Sequence, residues 1–408
     1  MNIMNSSIDP LNGLNGKKIL LGITGGIAAY KNYLLIREFI KLGAEVKVIT
    51  TPSSLAFVNE LTLSTLSKNI VISETFSANG QGTWHIDLSQ WADLFIIAPA
   101  TMNTIAKIAY GFCDNPVTIL ALARRCPLIV CPAADEDMYV NPVSGANIDK
   151  LEHQGVHILK PESGELASGL TGIGRLPELS KIIDYCETVI LGYSKDLEGK
   201  RILVTAGPTF EDIDPVRFIG NRSSGKMGYA IARAAHLRGA IVTLISGPSS
   251  ALIYPEIVKK EIRTADQMFT EVSAHLASND ILIMAAAVAD YTPTEYSNQK
   301  IKKGSDTISL ELKKTKDVLR NIEKSGKFIV GFALESENET ENAKKKLVEK
   351  GIDMIILNSA LEDKSGFEVD TNKVKILFPD KDSIEISTRS KFQVAHRILD
   401  EIAGANNG

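Results

Sequence analysis

"KKILLGITGGIAAYKNYLLIREFIKLGAEVKVIT" occupies residues 17–50 and decides how the rest of the chain is read. Lys18 to Ile23 is a short apolar run. Gly25 and Gly26 follow it, then a helical pattern through Leu42, and "GAEVKVIT" supplies a second apolar run. Strand, glycine turn, helix and strand in that order predict a βαβ unit. Further strands are expected in "ADLFIIAPA", "CPLIVCPA" and "GVHILKP". These runs are continuously apolar rather than alternating, as in a parallel sheet covered on both faces.

The pattern restarts after "YSKDLEGK" (193–200), a polar and charged connection. "RILVTAGPT" reads as a strand ending in a Gly-Pro turn, and "SSGKMGYAIARAAHLRGAIVTLISGP" as a glycine loop, an amphipathic helix and a strand. "DILIMAAAVAD", "KFIVGFAL" and "DMIILNS" add strands; "NKVKILFPDKDSIEIS" reads as a hairpin, and a last helix covers roughly 389–403. The fold class is therefore α/β, with two doubly wound, Rossmann-like domains built on mainly parallel sheets. The expected organisation is a disordered start over 1–16, a first domain over 17–192, a linker over 193–198 and a second domain over 199–408.

The 408 residues are 44% hydrophobic and 23% charged, with a net charge near −4. That composition suits a globular protein and gives no reason to expect nucleic acid or an anionic membrane as partner. The first sixteen residues lack an apolar core and are not expected to act as a signal peptide, and no apolar run is long enough to span a bilayer. Cys113, Cys126, Cys131 and Cys186 show no metal spacing and read as small core residues of a protein kept in a reducing cytoplasm.

Ligands of open parallel sheets bind at the carboxyl ends of the strands. In the first half, Gly25 and Gly26 form either an anion-binding turn or a plain tight turn; they do not make a G-x-G-x-x-G fingerprint. In "WHIDLSQWADLFIIAPATMNTIAK", His85 precedes a strand that ends in "APAT". His85, Thr101 and Asn103 could converge on one strand-end crevice, or His85 could be structural. In "ESGELASGLTGIGRLPE" (162–178), Ser168 lies in a glycine-rich stretch that is either a closing loop or a connection.

In the second half, Thr209, Arg222, Ser223, Ser224, Gly225 and Lys226 form a polar loop before a helix, suited to phosphate and carboxylate, though it is not a Walker A loop. Asp290 ends a buried strand, and "KIKK" (Lys300 to Lys303) follows ten residues later. That pairing suggests a triphosphate with a divalent cation.

"GITGGIAAYK", "HIDLSQWAD", "APATMNT" and "CPAADEDMY" together resemble the flavin-dependent cysteine decarboxylases. More closely they resemble the phosphopantothenoylcysteine decarboxylase half of the bifunctional proteins of coenzyme A biosynthesis. The resemblance covers about residues 17–190. It implies FMN held by Gly25, Gly26, Thr51, Thr101 and Asn103, with His85 beside the substrate thiol. "AGPTFEDIDPVRFIGNRSSGKMGYAIA", "AAVADY", "KIKK" and "GFALE" resemble the phosphopantothenate–cysteine ligase half, across about 199–403. This implies CTP, with magnesium or manganese, activating phosphopantothenate as an acyl-cytidylate that the amine of cysteine then attacks. By motif, Asn221 serves formation of the cytidylate and Lys300 the attack by cysteine. Asp290, Lys314, Thr315, Lys316, Asp317 and Phe332 meet the nucleotide, and Lys346 and Lys350, four apart on one helix face, meet the triphosphate. No metal ligands are implied. The resemblance also implies a homo-oligomer, with trimers of the first half linked by dimers of the second into a dodecamer, whose partners are small molecules.

Two departures stand out. The family reads "PAMN" where this chain reads "PAAD", placing Asp135 at the asparagine. The family's flap reads "ACGD", where this chain has Ser168 for the cysteine and Leu170 for the aspartate. A serine hydroxyl is a much weaker acid than a thiol, whose reference pKa is about 8.5. The rival readings are a ligase fused to a flavoprotein that only oxidatively decarboxylates or serves as an FMN-binding assembly core, and, more remotely, an NAD-type dehydrogenase.

Overall fold

The computed structural model describes residues 12–76, 82–302, 309–335, 338–359 and 369–405. The chain divides into two compact units, residues 1–193 and 194–408.

In the first unit, strands β1 (Lys18–Ile23), β2 (Glu45–Thr50), β3 (Leu94–Ala100), β4 (Leu128–Pro132) and β5 (His157–Ile158) form a sheet in the order β2-β1-β3-β4-β5. Every pairing is parallel. All seven residues of β3 are buried, and so are all five of β4. Their continuous apolar sequence is what a central strand flanked by helices requires. One of the flanking helices, Asn32–Lys41, buries Leu35, Ile36 and Phe39. Each such side chain contributes about 1.5–3 kcal/mol by leaving water. The order reverses between β1 and β3, which makes their carboxyl ends the switch point of a doubly wound sheet.

The stretch 162–178 is not mere connection. It forms an antiparallel hairpin of β6 (Glu162–Glu165) and β7 (Thr171–Arg175). Leu166 N–H donates to Leu170 O at 2.8 Å and Gly169 N–H to Leu166 O at 2.9 Å, closing a loop of Ala167, Ser168 and Gly169. Gly169 has φ +83, the left-handed position such a three-residue hairpin loop needs.

Residues 12–16, expected within the disordered start, are instead packed. Leu14 is fully buried, Gly16 N–H donates to Gly43 O at 2.9 Å, and Gly13 N–H donates to Glu187 Oε1 at 2.8 Å. The burial of Leu14 supplies the reason; residues 1–11 lie outside the described residues.

The second unit is built on β8 (Arg201–Ala206), with β9 (Phe210–Asp212) and β10 (Phe218–Gly220) forming a small hairpin directly after it. Then come β11 (Ile241–Ser246), β12 (Val258–Glu261) and β13 (Ile281–Met284). A second small hairpin pairs β14 (Tyr291–Pro293) with β15 (Leu312–Lys314). The chain continues through β16 (Phe328–Glu335), β17 (Met354–Ser359), β18 (Thr371–Leu377) and β19 (Ile384–Ser390). The main sheet runs β12-β11-β8-β13-β16-β17-β18-β19, with the first six strands parallel and the last two antiparallel. Those six parallel strands follow the dinucleotide-fold order, so its switch point lies between β8 and β13. The hairpin expected around Pro379 is β18–β19, and the last helix is Lys391–Ala405. No described helix is long and apolar enough to cross a membrane.

Candidate functional site

In the first unit the loops after β1 and β3 are tied together by one hydroxyl. Thr24 Oγ1 donates to Pro99 O at 2.7 Å and accepts from Thr101 N–H at 3.0 Å. Thr101 then caps the helix Met102–Ala109. Asn103, on the first turn, is exposed. Gly25 packs so closely on Ser53 that a Cβ there would stand 2.5 Å from Ser53 Oγ. Ser53 Oγ in turn lies 3.2 Å from Thr51 Oγ1. Gly25, Thr51 and Thr101 thus gather at one end of the sheet, on bare or hydroxyl-bearing loops that suit a phosphate. Two buried side-chain atoms, Asn32 Oδ1 at the start of the helix Asn32–Lys41 and Thr50 Oγ1 at the end of β2, have no hydrogen-bond partner in the protein. Asn32 uses its amide to hold Ala98 O, at 2.9 Å, beneath the same crevice. Bare glycine backbone, convergent hydroxyls and unspent buried acceptors fit a polar, phosphorylated cofactor such as FMN.

His85 precedes β3, as read from the sequence. It sits in the helix Trp84–Trp91, half-buried, with its ring edge-on to Trp84 (centroids 5.6 Å apart, 78°). It faces an open groove of about 1520 Å³ that Trp84, Asp87, Cys113 and Asp114 also line. Cys113 is exposed, contrary to the expectation of a core cysteine; Cys131 and Cys186 are buried. Burial pushes the half-buried Cys126 thiol up to about 11.

Asp135 is half-buried at the start of the short helix Glu136–Tyr139. Its loop touches the hairpin: Ala134 N–H donates to Gly174 O at 3.0 Å, and Ile173 N–H donates to Glu136 Oε1 at 3.2 Å. Asp135 and the flap therefore belong to one bonded assembly, with Ser168 exposed at the tip.

In the second unit the switch point is closed by a lattice of short bonds. Ala287 N–H donates to Gly207 O at 2.9 Å, and Ala289 N–H donates to Thr209 Oγ1 at 2.9 Å. Asn221 Nδ2 donates to Ala287 O at 3.1 Å. Thr315 Oγ1 donates to Ala289 O at 2.6 Å and its N–H to Asp290 O at 3.0 Å. Asn221, Asp290 and Thr315 are thereby brought to one loop cluster at the ends of β8 and β13. Lys300 is exposed on a segment anchored to the β9–β10 hairpin, where Ile301 N–H donates to Asp214 Oδ2 at 3.2 Å and Arg217 Nη2 donates to Ile301 O at 2.6 Å. Burial pushes the Asp214 carboxyl up, but the N–H groups of Val216, Ile301 and Arg217 outweigh it and hold it below its ordinary value. Lys303 lies outside the described residues.

Lys346 and Lys350 are both engaged with carboxylates. Lys346 meets Glu335 at 2.6 Å and Lys350 meets Asp317 at 3.0 Å. Asp317 also caps the turn Val318–Asn321, and Lys316 lies over the Phe269 ring at 4.7 Å. Phe332 is half-buried on β16. Among the described residues no group of three or more His, Cys, Asp or Glu side chains could hold a metal ion.

Residues 8–191 match the Flavoprotein family, and 197–405 match the DNA/pantothenate metabolism flavoprotein C-terminal domain. The coenzyme A biosynthesis bifunctional protein CoaBC of Bacillus subtilis (strain 168) is 42% identical over 396 residues, covering 96% of this chain and 97% of that one. The protein of the same name from Haemophilus influenzae is 39% identical over 396 residues, covering 95% and 98%. A cysteine/cysteine sulfinic acid decarboxylase from an unknown prokaryotic organism is 42% identical over 357 residues, covering 85% and 98%.

The chain belongs to the family of coenzyme A biosynthesis bifunctional proteins.

Against that family, sequence reading missed two features. Gly207, Gly225 and Gly228 occupy the three positions of a dinucleotide fingerprint in space. Gly207 turns at φ +76, Gly225 precedes the helix Lys226–Leu237 at φ +77, and a Cβ at Gly228 would stand 2.6 Å from that of Ala206. The β9–β10 hairpin, inserted between the first two glycines, hides the spacing. The second feature is Glu136, whose only sequence signal was a carboxylate directly after Asp135.

Proposed function

We propose that the chain performs two consecutive steps of coenzyme A biosynthesis. The second unit joins 4′-phosphopantothenate to cysteine with CTP, and the first decarboxylates the resulting phosphopantothenoylcysteine to 4′-phosphopantetheine with FMN. The observation that carries this reading is that the relationship to the bifunctional proteins runs through both units, over 396 residues.

In the first unit, Gly25, Gly26, Thr51, Thr101 and Asn103 would hold the FMN. When bound, FMN supplies the two-electron oxidation that makes the cysteine carboxylate a leaving group, and the return of those electrons. His85 receives the proton of the substrate thiol. Asp135 accepts a hydrogen bond from a substrate donor, because an ionised carboxylate there would repel the substrate carboxylate. Ser168, at the hairpin tip, hydrogen-bonds the substrate and relays the last proton from another group, since its own hydroxyl is too weak an acid.

In the second unit, the carboxylate of phosphopantothenate attacks the α-phosphorus of CTP and pyrophosphate leaves. The amine of cysteine then attacks the acyl-cytidylate and CMP leaves. Asn221 positions the acyl-cytidylate through the amide it shares with Ala287 O, and Lys300 serves the attack by cysteine. Asp290, Lys314, Thr315, Lys316, Asp317 and Phe332 form the cytidine pocket. Lys346 and Lys350, held by Glu335 and Asp317, bring positive charge to its rim. Magnesium or manganese enters with the triphosphate.

The assembly is a homo-oligomer of first-unit trimers joined by second-unit dimers. Leu61, Ile70 and Phe76, which are 75%, 87% and 91% exposed on the first unit, support coverage of that surface by other copies. The protein works in the cytoplasm.

The experiment that tests the ligase is release of CMP and pyrophosphate from CTP, supplied with 4′-phosphopantothenate and cysteine. CMP and pyrophosphate are expected in equal amounts, matched by the sum of phosphopantothenoylcysteine and the 4′-phosphopantetheine made from it. CMP release that does not depend on phosphopantothenate would overturn the reading.

A further inference from the structure

In the hairpin β6–β7, strand β7 is bonded on both edges. On its inner edge β7 pairs with β6, with Thr171 opposite Glu165, Gly172 opposite Gly164 and Ile173 opposite Ser163. On its outer edge β7 meets the loop that carries Asp135. Ile173 N–H donates to Glu136 Oε1 at 3.2 Å, and Ala134 N–H donates to Gly174 O at 3.0 Å. In β6, Ser163 and Glu165 are exposed.

Two glycines flank the contact, and both are limited by space. A Cβ on Gly174 would overlap the Ala134 carbonyl, and a Cβ on Gly172 would overlap the Glu136 carboxylate. Gly174 also has φ +152, whereas Gly172 lies outside the left-handed region. At Gly172 the backbone itself would accept alanine, and the methyl would displace the Glu136 carboxylate, the movable end of its side chain.

The geometry points to Glu136 as a positioning residue for decarboxylation. Its carboxylate latches β7 beside Asp135 and thereby fixes how far the Ser168 tip can reach. A carboxylate accepting from a backbone N–H makes a charge-assisted bond, stronger than a neutral one. Without it, the Ile173 N–H loses that partner, while the Ala134–Gly174 bond remains on the outer edge of the flap. The inference rests on the reading of the first unit as an FMN-dependent decarboxylase with 162–178 as its flap.

The test uses the full-length, FMN-loaded protein with E136A, E136Q, G172A and the double variant E136A/G172A. Amide exchange of the segment 166–175 is read by mass spectrometry. Decarboxylation of phosphopantothenoylcysteine is measured alongside it, with FMN content and ligase turnover as controls. E136A is expected to speed exchange at 171–175 and to raise the decarboxylase KM, each roughly tenfold, with a smaller change in kcat. E136Q keeps an oxygen that accepts from Ile173 but makes the weaker, neutral bond, so it should fall between the parent and E136A. G172A should behave like E136A, and the double variant should be no worse than E136A alone, because both remove one contact. FMN content and ligase turnover should not change.

Unchanged exchange in E136A overturns the latch, and so does additivity in the double variant. E136Q as impaired as E136A overturns it too, because charge rather than the hydrogen bond would then matter. Faster exchange with unaltered decarboxylation overturns the positioning role. If the parent protein does not decarboxylate at all, the functional reading fails, and the exchange comparison still decides the latch.

Discussion

Thr24 Oγ1 donates to the Pro99 carbonyl at 2.7 Å while accepting from Thr101 N–H, so one hydroxyl joins the two loops at the first switch point. Thr24 is fully buried, and valine would fill its volume without serving either group. T24V should leave a buried carbonyl and a part-buried N–H unpaired, at about 1–3 kcal/mol. Thermal unfolding should show the loss, and the flavin absorbance per chain should fall with it. T24S restores the hydroxyl and should recover most of both. Full flavin occupancy in T24V would detach this bond from the cofactor site.

Asn221 Nδ2 donates to Ala287 O at 3.1 Å, with Val288 O at 3.4 Å. N221D replaces that donor with a carboxylate facing two carbonyl oxygens. Formation of the acyl-cytidylate should slow on the order of a hundredfold, the scale of losing one oriented donor in an active site. Pyrophosphate release in a single turnover measures this, and decarboxylation of supplied phosphopantothenoylcysteine should be unaffected.

Ser168 stands at the exposed tip of the hairpin. S168C introduces a group several pKa units more acidic than a hydroxyl and should speed the last proton transfer. Rapid-mixing absorbance would show faster return of oxidised flavin. S168A should slow that return while carbon dioxide release continues. Equal rates in all three proteins would make Ser168 an inert loop residue.

His396 is fully buried, with its ring edge-on to Phe392 at 4.7 Å between centroids. Burial first, and the Arg238 guanidinium second, pull its pKa down to about 3. The unfolded value is about 6.5, so the unfolded chain takes up a proton earlier as pH falls. The stability from keeping this ring neutral is full above about pH 6.5 and is lost progressively between there and about pH 3. From about pH 6.5 to about pH 5 the parent should lose roughly 1.5 kcal/mol through this group. H396Q should lose less by that amount, as read by pulse proteolysis of the second unit in urea.

The sheets were legible because β1, β3, β4, β8 and β13 are largely apolar runs closed at their carboxyl ends by glycine, alanine or proline. The β18–β19 hairpin was legible from the polar break at Pro379 to Asp382. "GVHILKP" promised a longer strand than the two residues of β5, which pairs on one side only. The helix around His85 was available in the spacing of Trp84, Leu88 and Trp91, though none was assigned there from the sequence. The flap was not legible as a hairpin. Gly164, Gly172 and Gly174 carry no side chains that alternate, and its order comes from Glu136 and Ala134, which are distant in sequence.

The most direct test supplies the full-length protein with 4′-phosphopantothenate, cysteine, CTP and magnesium, and weighs the phosphorylated product. The account predicts 4′-phosphopantetheine, with one CMP and one pyrophosphate for each and with the flavin returned to its oxidised form. Accumulation of phosphopantothenoylcysteine beside bound, unaltered FMN would contradict it. So would a product lighter by two hydrogens with the flavin left bleached.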